Sequence, residues 1–126
     1  MSATPLPLRI LIVDDQAAFR DVARRLLEWR GYHVAGEAEC AATAMQAAAA
    51  LAPDAVLLDV GLGATSGFEV ASALNLACPD AGVLLVSAYD YRHCAALLRD
   101  CGARGFVLKS ELAHADLADY WPAPAA

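Results

Sequence analysis

Apolar positions along the chain fall into two alternating patterns. Short, nearly continuous runs at residues 8–13 (LRILIV), 32–38, 55–59 (AVLLD), 83–87 (VLLVS) and 103–108 (ARGFVL) read as strands buried on both faces. Between them lie longer stretches with the helical period. In residues 17–30, Phe19, Val22, Ala23, Leu26 and Leu27 recur at helical spacing among charged residues, and Gly31 ends the helix. Further helices are read at 40–51, stopped before Pro53, and at 68–77, before the turn residues Pro79, Asp80 and Gly82. Two more are read at 91–101 and at 111–121, the last with Leu112, Ala113, Leu117, Tyr120 and Trp121 on one face.

Five strands alternating with five helices predict a flavodoxin-like, doubly wound α/β fold, with a parallel sheet of strand order 2-1-3-4-5. The 126 residues suit one compact domain, placed at 8–121, with an N-terminal extension at 1–7 and a frayed tail at 122–126. The 59% of hydrophobic residues is inflated by 30 alanines, which bury little area each. The longest apolar runs fall far short of the roughly 20 residues of a membrane span. The start MSATPLPLRILIVDD has neither a basic leader nor a cleavage site, so a cytoplasmic protein is expected. Nine Lys+Arg against fifteen Asp+Glu give a net charge of −6, which disfavours nucleic acid because the basic residues do not cluster. Cys40, Cys78, Cys94 and Cys101 form no C-x-x-C pair and read as reduced, mostly buried thiols.

In an open parallel sheet the ligand sits beyond the carboxyl ends of the strands, so the residues that end them test for function. The first strand ends in Asp14-Asp15, the third in Asp59, the fourth in Ser87 and the fifth in Lys109. Any one of these has an ordinary explanation: an aspartate here commonly caps the next helix, and a lone lysine is a solvated strand end. Together they place three carboxylates, a hydroxyl and an ammonium at one edge. Carboxylates so close repel unless a cation neutralises them, and hard oxygen donors suit Mg²⁺. Asp59 at the centre then reads as a nucleophile able to form an aspartyl-phosphate.

This ordered set, Asp14-Asp15, Asp59, Ser87-Ala88 and Lys109 after GARGF, resembles the receiver domains of two-component response regulators from residue 8 to about 120. The opening IVDDQAAFRDVARRLLE and the closing GARGFVLKS resemble in particular the receivers that usually precede a LuxR-type DNA-binding domain. The resemblance implies a phosphoprotein of a phosphorelay, not an enzyme beyond its own phosphorylation and dephosphorylation. In it Asp59 accepts a phosphoryl group from the phosphohistidine of a sensor histidine kinase or phosphotransfer protein. Mg²⁺ is then held by Asp15 directly, by Asp14 through water, by Asp59 and by the Gly61 carbonyl. Lys109 and Ser87 contact the phosphoryl group, and Ser87 and Phe106 form the switch.

The sequence departs from the family pattern at several points. Gly63 stands where a proline is usual, four residues after the phosphoacceptor, and a more mobile loop is expected there. Phe106 lacks a tyrosine hydroxyl, and Ser110 replaces a common proline after Lys109, where it is expected to cap the last helix. With no basic helix-turn-helix after Trp121, a stand-alone receiver without direct DNA binding is expected, with a homodimer left open. Output would pass through the face of residues 91–101, 103–108 and 111–121, where Tyr91, Phe106, Tyr120 and Trp121 are candidate contacts. A dehalogenase-type phosphatase needs a second aspartate where Gly61 stands, and DDQAAF is no dinucleotide fingerprint. The remaining alternative is a pseudo-receiver, folded alike but never phosphorylated.

Overall fold

The structure, a computed structural model, describes residues 7–121. The expected tail at 122–126, and all of the N-terminal extension except Pro7, lie outside the described residues. The main sheet contains β1 (Arg9–Val13), β2 (His33–Ala38), β3 (Ala55–Asp59), β6 (Gly82–Ser87) and β7 (Gly105–Leu108). All neighbours are parallel, in the order β2-β1-β3-β6-β7. This is the expected flavodoxin-like order, with an inserted hairpin of β4 (Gly61–Leu62) and β5 (Thr65–Ser66) accounting for the numbering.

Alternate strand residues face two separate cores. Leu11, Val13, Val56, Leu58, Val83 and Leu85 pack on one side with α2 (Ala41–Leu51) and α3 (Gly67–Ala77). Ile10, Ile12, Leu57, Leu84, Val86 and Val107 pack on the other with Ala23 and Leu27 of α1 (Ala17–Trp29), and with Leu112, Leu117 and Trp121. The central strands β3 and β6 are buried along their whole length, which is why their sequences run apolar rather than alternate.

Two expected helices are cut short. The stretch expected at 91–101 forms only α4 (Ala95–Asp100). Ahead of it the Asp90 carboxylate accepts from the Arg92 N–H at 2.8 Å, a local turn that competes with the helix. The Tyr91 ring is drawn inward, edge-on to Phe68 and Phe106. The helix expected at 111–121 is replaced by two 3₁₀ turns, Lys109–His114 and Leu117–Asp119. Where the first turn ends, the Arg30 guanidinium takes the Ala113 and Ala115 carbonyls, which a helix would use internally. The Asp116 side chain starts the second turn by accepting from the Ala118 N–H at 3.2 Å. Leu108, not Ser110, holds the cap position of the first turn.

Trp121 is core, not a contact on the output face. It is 1% exposed, and its indole N–H donates to the Gly82 carbonyl at 3.0 Å. The four cysteines are free, but only Cys101 is buried. Cys40, Cys78 and Cys94 are half-buried, each at a helix end.

Candidate functional site

The acidic pair leaves β1 as a turn in which Asp14 Oδ1 accepts from the Gln16 N–H at 2.8 Å, so that Gln16, not an aspartate, precedes the first residue of α1. Asp14 is fully buried and Asp15 exposed. Arg20, one turn into α1, braces this loop by donating to the Asp14 carbonyl at 2.7 Å and to Glu37 at 3.0 Å. Asp59 ends β3 and is 5% exposed. One carboxylate oxygen from each of Asp14, Asp15 and Asp59 lies within 4.8 Å of the other two. Lys109, directly after β7, places Nζ 2.7 Å from Asp14 Oδ2 and 3.7 Å from Asp59 Oδ2.

The charges in this pocket are not balanced. Asp59 is pushed up to about 6, first by burial and then by the Asp14 charge, against the opposing pull of Lys109 and a backbone hydrogen bond from Gly61. Asp14 Oδ2 touches the ammonium but makes no hydrogen bond of ordinary geometry, and is the buried side-chain polar atom left without one among the described residues. A hard divalent cation fits this set of donors: three carboxylates, two of them buried, with a single ammonium between them.

Ser87 ends β6, is 4% exposed, and accepts the Tyr89 N–H at 3.1 Å. Phe106 lies inward on β7, with its ring centroid 6.0 Å from that of Tyr91. Gly61 opens the hairpin directly beyond Asp59. Gly63 sits in its turn at φ +71°, a value closed to proline, so this departure follows from the hairpin geometry.

Two contributors were not singled out from the sequence. Gly67 lies so near the Asp59 carbonyl that an added Cβ would be 2.3 Å away, and its N–H donates to the Val60 carbonyl at 2.7 Å. Only a glycine lets α3 start against the strand end that carries Asp59; its place at the close of a Gly-rich stretch was the available signal. Phe19, read as one apolar position of α1, carries the Lys109 ammonium 4.3 Å from its ring centroid.

The response regulator receiver domain profile matches residues 10–119. The chain belongs to this family. The receiver is 31% identical over 103 residues to the response regulator GacA of Pseudomonas aeruginosa, covering 81% of this chain and 48% of that protein. It is 30% identical over 104 residues to the transcriptional regulatory protein PdtaR of Mycobacterium tuberculosis, covering 82% and 50%. The receiver thus spans about half the length of these curated relatives. Among solved structures it resembles a LuxR-family response regulator from an Aurantimonas species, with TM-score 0.80, 31% identity, and 86% and 78% of the two chains covered. It also resembles a response regulator from Burkholderia pseudomallei solved with a phosphorylated aspartic acid and a calcium ion, with TM-score 0.81, 28% identity, and 91% and 67% covered. Among the described residues no helix is long and apolar enough to cross a membrane.

Proposed function

We propose that this receiver accepts a phosphoryl group on Asp59, in an Mg²⁺-dependent step, from the phosphohistidine of a sensor histidine kinase or phosphotransfer protein. The observation that carries this reading is the unbalanced pocket itself: a buried carboxylate between Asp14 and Lys109, with the Asp15 carboxylate within reach. With a pKa of about 6, Asp59 is mostly ionised at pH 7 and is available as a nucleophile. Its oxygen attacks phosphorus, the bond from phosphorus to the donor imidazole nitrogen breaks as the new O–P bond forms, and the imidazole leaves with the electron pair. Asp14, Asp15, Asp59 and the Gly61 carbonyl would hold Mg²⁺, which supplies neutralisation of the phosphoryl oxygens. Lys109, already 3.7 Å from Asp59, pairs with those oxygens.

Ser87 Oγ accepts from Tyr89 while its own proton stays free to donate to the phosphoryl group. A shift of Ser87 toward that group would carry the Tyr89 backbone, and with it a side chain 76% exposed, so a local hydrogen bond reaches the surface. Phe106 is already buried, so in this reading the switch lies in the Ser87–Tyr89 loop moving past the row Phe68, Tyr91 and Phe106. Tyr89, with the half-buried Tyr91 and Tyr120, then marks the face presented to an output partner.

Intact-mass measurement after incubation with Mg²⁺ and a small phosphodonor tests the reading. One phosphoryl group is expected on the wild type and none on Asp59→Asn. No gain on the wild type, or an equal gain on both, overturns the assignment and leaves a pseudo-receiver.

A further inference from the structure

We infer that Phe19 is a positioning residue for phosphoryl transfer, its aromatic face holding the Lys109 ammonium in place while the acidic pocket is filled. This rests on the function proposed above. Three groups fix Nζ: Asp14 Oδ2 at 2.7 Å, Asp59 Oδ2 at 3.7 Å and the Phe19 ring, whose centroid is 4.3 Å away. The lysine side chain is 15% exposed and the ring half-buried, so the contact is partly shielded from water, where a cation over an aromatic face gains most.

The three contacts respond differently when the site is completed. A divalent cation on Asp14 and Asp59 offsets the negative charge that now attracts the ammonium. The ring's quadrupole is neither titrated nor neutralised by that ion. Phe19 is therefore the holder that persists at the moment Lys109 must meet the phosphoryl oxygens, and it removes the need to order a long, flexible side chain during transfer. Packing alone would explain an apolar residue at this position of α1, which also touches the core of that face. It does not explain why the ring lies against the one lysine of the chain.

The test uses Phe19→Leu and a series carrying mono-, di- and trifluorinated phenylalanine at position 19, which keep the ring's shape while draining its negative face. Two quantities are measured with Mg²⁺ present: the rate of phosphorylation by a small phosphodonor, and the half-saturating concentration of beryllofluoride. Phe19→Leu is expected to slow the first and raise the second by about 3- to 30-fold. Both should change stepwise with fluorine number while thermal unfolding stays the same. A fluorinated series indistinguishable from wild type overturns the inference, even if Phe19→Leu is slow, because the contact is then packing. Failure of the wild type itself to take a phosphoryl group overturns the parent reading and this one with it.

Discussion

The two edges of the main sheet are built from similar residue types but left in opposite electrostatic conditions. At the amino edge, the Arg9 N–H donates to Asp54 at 2.9 Å, and its guanidinium closes the end of α2 on the Leu51 and Ala52 carbonyls at 2.6 and 3.0 Å. The Trp121 indole there satisfies the Gly82 carbonyl. At the carboxyl edge, Asp14 and Asp59 are buried within reach of one another and share a single ammonium. One edge has its polar groups paired and contributes stability. The other keeps more carboxylates than its one ammonium can balance and an aspartate that resists ionisation, a condition that a bound cation or a phosphoryl group relieves.

Substitutions at the two edges should therefore differ in sign. The largest effect is expected from Trp121→Ala, which removes a fully buried ring and its hydrogen bond to the Gly82 carbonyl. Chemical denaturation should report a loss of about 3–5 kcal/mol, with the Mg²⁺ response retained. Asp59→Asn should act in the opposite direction in metal-free buffer. The folded state holds the Asp59 proton more tightly than the unfolded chain, whose value is near 3.8, so the contribution of this group to stability is full below that value and is lost as pH rises through about 6. Asp59→Asn escapes that loss. Its advantage should open between pH 4 and 6 and reach on the order of 1–3 kcal/mol at pH 7. A constant difference across that window would mean that the strain is not in Asp59 ionisation. The smallest effect is expected from Arg9→Ala, about 1 kcal/mol of denaturant stability, because its contacts lie near solvent.

The contrast between the edges was only partly legible in the chain. Strand order and the convergence of Asp14, Asp15, Asp59 and Lys109 could be read because β1, β3 and β7 are apolar runs that stop abruptly at their chemical residues, as β6 does at Ser87 on the same edge. The ends of the last two helices could not. Residues 111–121 keep a helical apolar period, yet Arg30, some 80 residues earlier, claims the carbonyls that would carry the helix through. Residues 91–94 are diverted by the Asp90 turn and by the pull of the Tyr91 ring into the Phe68 and Phe106 row. Two-residue strands such as Gly61–Leu62 and Thr65–Ser66 are too short to show any period. The burial of Trp121 followed from these long-range contacts, not from local pattern.

The most direct test of the difference between the edges is thermal unfolding of wild type and Asp59→Asn at pH 7, each titrated with Mg²⁺. Without the ion, Asp59→Asn should melt higher. With saturating Mg²⁺ the wild type should rise and close that gap, while Asp59→Asn gains much less. A wild-type midpoint that does not move with Mg²⁺, or an equal rise in both proteins, would contradict a carboxyl edge whose unbalanced charge on Asp59 awaits a cation.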